Sequence, residues 1–265
     1  MKRRNKIILY SILSFFLLCA VTFFTYTSFY YSATDEAMEY LTSTEEVTVL
    51  DDKNIIFKPK NEIKGGIIFY PGAKVEHKAY SKLMYLLAEE GYLCVLVKMP
   101  FKLAFFGMNK ADEIIDEYDY INEWHMMGHS LGGAFASRYA SKNVDKIKSV
   151  ILLASYSTSD ISGLDVLSIY GSNDQILNME KYENNKKFLP NDFIEVKIDG
   201  GNHAAFGNYG AQKGDGKLEI KESEQIFYTI FTIISFLEPW KCRFLLKKCK
   251  KIKKIKKIFK NVLHS

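Results

Sequence analysis

Between residues 46 and 240, strand-type and helical segments alternate, and this alternation limits the chain to very few architectures. Residues 92–97 and 147–154 are near-continuous apolar runs, the mark of parallel strands buried on both faces. Shorter strands are expected over 66–70, 124–127, 166–170 and 193–198. Helices are expected over 77–90, 110–118, 131–142, 179–188 and 225–237. In the first of these, Leu83, Leu86 and Leu87 share one face and Gly91 supplies the stop. Asp51-Asp52-Lys53-Asn54 separates two short strands, 47–50 and 55–58, and reads as a hairpin turn. The fold class is therefore α/β, a mostly parallel, doubly wound sheet with helices on both faces. Such sheets hold ligands at the carboxyl ends of their strands, so a motif that carries chemistry should follow a strand directly.

One motif meets that condition. Gly128-His129-Ser130-Leu131-Gly132-Gly133 sits between the strand at 124–127 and the helix at 131–142 and fits G-x-S-x-G. A serine in a sharp strand-to-helix turn projects its hydroxyl above the sheet, and the glycines leave room for the strained backbone. Ser130 is the candidate nucleophile, and the Leu131 N–H is placed to stabilise an oxyanion.

A serine needs a base to take its proton. Of the five histidines, His77, His125, His129, His203 and His264, only His203 and His264 follow the serine, and His264 lies in a basic tail. Where a G-x-S-x-G turn carries the nucleophile, the partners follow in the chain order serine, acid, histidine, so His203, in the turn Gly200-Gly201-Asn202-His203, is the candidate base. Asp174, in Gly171-Ser172-Asn173-Asp174 after the strand at 166–170, is the candidate acid, with Asp160 and Asp199 as rivals. The second oxyanion donor should come from Pro71-Gly72-Ala73-Lys74, as the backbone N–H of Ala73 or else of Lys74. Phe101, Leu103, Phe105 and Phe106 either line an apolar pocket or belong to the core.

At these residues the chain resembles the α/β-hydrolase superfamily, and within it a branch of small bacterial single-domain hydrolases of esterase and lipase type. The resemblance is carried by Tyr70 to Val75, Val97 to Phe101, Gly128 to Gly133, Tyr170 to Asp174, and the stretch from Gly201-Asn202-His203 to Gly214-Asp215-Gly216. It covers roughly residues 46–240 and leaves out both ends. It implies an eight-stranded type of sheet, the triad Ser130, Asp174 and His203, ester or related acyl chemistry, and no cofactor. It implies no particular substrate, because this fold hosts many reactions. A cell-envelope acyltransferase and a catalytically inactive, surface-anchored binding module are the competing expectations.

The ends differ from the middle. Lys2, Arg3, Arg4 and Lys6 precede an uncharged run of 25 residues, 7–31, which as a helix is about 37 Å long and can span a bilayer. Phe29, Tyr30 and Tyr31 close it like an interfacial aromatic belt. Residues 1–34 are expected to form a single-pass transmembrane helix that anchors the protein in the cell membrane with the domain of 46–240 outside the cytoplasm; cleavage as a signal, giving a secreted protein, is the other reading.

The tail, 241–265, holds 11 Lys and Arg and no acid, with apolar residues along one side of a helical wheel. It reads either as a basic amphipathic segment at a membrane interface or as a solvated tail. Between the two basic ends stand 21 basic against 31 acidic residues, a net of −10, so the overall +5 gives no support to a nucleic-acid partner. The four cysteines form neither a disulfide framework nor a metal spacing, and no metal site is expected. The expected partners are a small-molecule or lipid-like ester and the membrane.

Overall fold

The computed structural model describes residues 3–239, so the basic tail lies outside the described residues. Two compact units divide the chain at Tyr30. The first contains one helix, α1 (Arg3–Ser28), whose most apolar 18-residue stretch has a mean hydropathy of 2.5, long and apolar enough to cross a membrane. A membrane anchor and a signal sequence both meet that description.

The second unit opens with a five-residue helix, α2 (Asp35–Glu39), too short to leave a periodic signature in the sequence. The hairpin β1 (Val47–Asp51) and β2 (Ile55–Pro59) follows, then β3 (Gly65–Tyr70), α3 (Ser81–Glu89), β4 (Tyr92–Leu96) and α4 (Lys110–Glu117). Next come β5 (Trp124–His129), α5 (Leu131–Ala140), β6 (Ile147–Leu153), β7 (Asp165–Gly171), α6 (Met179–Asn185), β8 (Ile194–Ile198) and α7 (Glu222–Leu237). The helix expected over 77–90 is split. Residues His77–Tyr80 form a 3-10 turn that leads into α3.

The strands form one eight-stranded sheet in the order β1-β2-β4-β3-β5-β6-β7-β8. Among the described residues, only the β1–β2 and β2–β4 pairings are antiparallel. β3 and β5 are buried at every position, and successive residues feed opposite faces. Ile67 and Phe69 of β3 pack with Leu83 and Leu87 of α3 and Ile233 and Ile234 of α7. Ile68 and Tyr70 face the other way, toward Ala111 and Ile114 of α4 and Ala136 and Tyr139 of α5. Burial on both faces accounts for the apolar runs in the sequence and leaves the strand ends as the place for polar chemistry. The chain turns to one side after β3, to reach β4, and to the other side at β5. The crevice at that reversal opens beside the loop after Tyr70 and the turn at Ser130.

Candidate active site

Ser130 joins β5 to α5 with φ 53° and ψ −125°, a conformation that L residues rarely adopt. Its N–H donates to the Leu153 carbonyl at 2.9 Å, and its own carbonyl accepts from Ser155 Oγ at 2.7 Å. Two glycines make the turn possible. A methyl group on Gly128 would lie 2.6 Å from the backbone of Gly132 and Gly133, and one on Gly132 would lie 2.0 Å from the Tyr70 carbonyl oxygen. The start of α5 thus packs directly on the end of β3, which seats the Pro71-Gly72-Ala73-Lys74 loop beside Ser130.

His203 and Asp174 meet. His203 Nδ1 lies 2.9 Å from Asp174 Oδ2, with side chains 2% and 1% exposed. An ionised carboxylate only accepts, so Nδ1 carries the proton and a neutral ring presents the Nε2 lone pair. The other carboxylate oxygen accepts from the N–H groups of Ile176 and Leu177, at 2.9 and 2.8 Å. Asp160 instead bonds the Ser162 N–H in an exposed turn, and Asp199 is exposed, so neither rival reaches the imidazole.

Ser130, Leu131 and His203 open on one cavity of about 380 Å³. Ala134, Phe135 and Arg138 of α5 form one wall, and Tyr156 and Thr158 after β6 and Ile176 to Asn178 after β7 form the others. No hydrogen bond joins Ser130 Oγ to His203; the two groups share the cavity wall. Leu131 occupies the first position of α5, where an N–H has no partner within its helix. In the loop after β3, Lys74 has φ 59° and donates its N–H to the Lys102 carbonyl at 2.9 Å. That bond removes Lys74 from the choice of oxyanion donors. The Ala73 N–H makes no hydrogen bond among the described residues, although Ala73 does not itself line the cavity.

Three of the four apolar side chains singled out after β4 belong to neither place expected for them, and the fourth, Leu103, is half-buried outside the cavity lining. Phe101, Phe105 and Phe106 are 43%, 65% and 45% exposed and do not line the cavity. Positive φ at Phe101 and Lys102 distorts the first of two 3-10 turns, Pro100–Lys102 and Ala104–Gly107, and the second buries Ala104 and Gly107 while its two rings stay exposed. Phe105 does pack edge-on against Phe135, the cavity residue.

Two supports went unassigned in the sequence. One is a chain of hydrogen bonds through His129. Gly72 N–H donates to Tyr80 Oη, which lies 2.8 Å from His129 Nδ1, and His129 Nε2 lies 3.1 Å from the His203 carbonyl. Burial, and secondarily the charge of a protonated His203, hold His129 well below the ordinary histidine range. A neutral ring has one N–H, which the His203 carbonyl requires at Nε2, so Nδ1 accepts from the Tyr80 hydroxyl. The chain links the loop after β3, the serine turn and the histidine loop. The other support is Asp215, which accepts from Ala204 N–H at 2.9 Å and Gln175 N–H at 3.3 Å, each next to a member of the His203–Asp174 pair. Nothing in the spacing of His129 or Asp215 marks these roles. Among the described residues, no group of three or more His, Cys, Asp or Glu side chains is arranged to hold a metal ion.

Residues 66–227 match the model of the alpha/beta hydrolase family. Comparison with curated proteins returned no match. Among solved structures, the fold is similar to TT1662 from Thermus thermophilus, with a TM-score of 0.56 at 13% identity over 74% of this chain and 98% of that one. It is also similar to Est1E from Butyrivibrio proteoclasticus, with a TM-score of 0.52 at 14% identity over 73% and 99% of the two chains.

Proposed function

This chain belongs to the alpha/beta hydrolase family, and we propose that it is a serine hydrolase that cleaves carboxylic esters through an acyl-serine intermediate. The observation that carries the proposal is the buried His203–Asp174 pair, 2.9 Å apart, whose imidazole shares a cavity with Ser130 in its strained turn.

In this reading, Ser130 Oγ attacks the ester carbonyl and its proton passes to His203 Nε2. Asp174 orients the ring through Nδ1–H and stabilises it once charged. The developing oxyanion accepts from the N–H groups of Leu131 and Ala73, fixed donors that need not reorganise. His203 then gives its proton to the departing alcohol. It next takes one from water, which attacks the acyl-Ser130 carbonyl; the bond to Ser130 Oγ breaks, His203 returns the proton to that oxygen, and the acid leaves. Neutral His129, in ring contact with His203 at 4.5 Å between centroids, does not compete for the proton.

The protein is proposed to sit in the membrane through α1, with its hydrolase domain outside the cytoplasm, because Lys2, Arg3, Arg4 and Lys6 flank the helix on its N-terminal side. Turnover of nitrophenyl esters by the full-length chain in detergent tests the enzymatic reading. Wild type is expected to show a burst of nitrophenol followed by steady turnover, and Ser130→Ala neither phase. Equal turnover by the two proteins would refute it.

A further inference from the structure

The cavity wall formed by α5 ends in an arginine. Leu131, Ala134, Phe135 and Arg138 follow the i, i+3, i+4, i+7 spacing that puts them on one helix face, and all four line the cavity. Arg138 is exposed and forms no ion pair among the described residues, and no cavity-lining residue is a carboxylate. The remaining polar lining groups include Tyr156, Thr158 and Asn178. The Asn178 side-chain oxygen caps α6 by accepting from Lys181 N–H, which leaves its amide NH2 as the free end. The region between the basic ends carries a net charge of −10, yet this cavity presents donors and one cation.

We infer that the substrate is an anionic ester, whose carboxylate or phosphate is held by Arg138 while its ester carbonyl lies at Ser130. The inference rests on the hydrolase reading given above. Seven helical steps separate Leu131 from Arg138, about 10 Å along the axis. Helical side chains lean toward the N-terminus, here toward Ser130, so the guanidinium shortens that span. The anion therefore stands roughly 6–10 Å from the scissile carbonyl, a spacer of a few methylene groups. A planar guanidinium matches carboxylate and phosphate oxygens in a bidentate fashion. A cation in the last turn of α5 also complements the helix dipole, but that contribution favours the fold and not one substrate over another.

The test is a selectivity ratio, measured on the full-length chain in detergent with two matched pairs of esters. The first pair is nitrophenyl hexanoate against the nitrophenyl monoester of adipic acid. The second is a monoacylglycerol against the same lipid bearing a glycerol phosphate. Wild type is expected to prefer the charged member of at least one pair in kcat/KM, and the pair that shows the preference identifies the anion. In that pair Arg138→Gln should cut the ratio about tenfold, Arg138→Glu should cut it further, and Arg138→Lys should restore part of it. Raised salt should narrow the wild-type ratio and leave that of Arg138→Gln nearly flat. Fluorophosphonate labelling of every variant verifies that the site is intact. A wild type that labels but shows no preference in either pair, or a preference that Arg138→Glu keeps, overturns the assignment of Arg138. A folded wild type that neither labels nor hydrolyses any of the four esters overturns the hydrolase reading, and this inference with it.

Discussion

The His129 and His203 rings lie 4.5 Å apart between centroids, and burial leaves the first neutral while the second faces the cavity against a carboxylate. The neutral ring works as a strut, since its two nitrogens are engaged by Tyr80 Oη and the His203 carbonyl. Tyr80→Phe removes the acceptor of the Gly72 N–H and the donor to His129 while keeping the ring that packs on Phe69. An unsatisfied buried N–H costs about 1–3 kcal/mol, and the unfolding midpoint in urea should fall accordingly. If the chain also positions the Ala73 loop, kcat should fall about tenfold with little change in KM, the sign of an interaction made mainly in the transition state.

Asp174→Asn tests the orientation of the base. The amide can accept from Nδ1–H only through its oxygen, and its NH2 end can instead force the wrong tautomer on His203. The expected loss in kcat for ester hydrolysis is about 10³–10⁴-fold. Asp160→Asn, at an exposed turn, should fall within about twofold of wild type. Steady-state kinetics on the two variants separates the partner of His203 from its rival.

The strands and the strand-to-helix turn at Ser130 are legible in the sequence because they depend on local patterns. A strand buried on both faces is apolar throughout, and a serine turn that touches β3 leaves no room for side chains at Gly128 and Gly132. Supports assembled by the fold were not visible in the same way. Tyr80 is 49 residues from His129, and Asp215 is 40 from Gln175, so no spacing rule joins them. Phe101 to Phe106 misled for a related reason. Apolar composition suggested burial, but two consecutive residues with positive φ turn the segment across the surface.

Asp215→Asn should separate the two anchoring bonds from the charge they need. The carboxylate receives N–H groups from Ala204, Gln175 and its neighbour Gly216. The amide can serve only part of that set, and losing one or two such bonds costs about 1–3 kcal/mol. Thermal unfolding should report the loss, and kcat should fall with it, because both loops that present His203 and Asp174 loosen together.

Stability should decline in mild acid. Burial, with the charge of Lys148 adding to it, holds His125 down to about 4. The unfolded chain takes up that proton near 6.5, so between these values the unfolded state binds more protons and is favoured as the pH drops. The contribution present above 6.5 is lost progressively toward 4, about 3 kcal/mol in all. Urea unfolding at a series of pH values should show this slope, and His125→Gln should reduce it while His77, held down to about 4 by burial, and His129 retain shares.

Every step proposed for the reaction depends on an activated serine at the end of β5. It is tested most directly by labelling the full-length protein in detergent with a fluorophosphonate probe, beside Ser130→Ala and His203→Ala. Wild type is expected to carry a single labelled site, mapped to Ser130, with labelling abolished by the first substitution and reduced by several orders of magnitude by the second. A folded wild type that does not react, or labelling that survives the loss of Ser130, would contradict it.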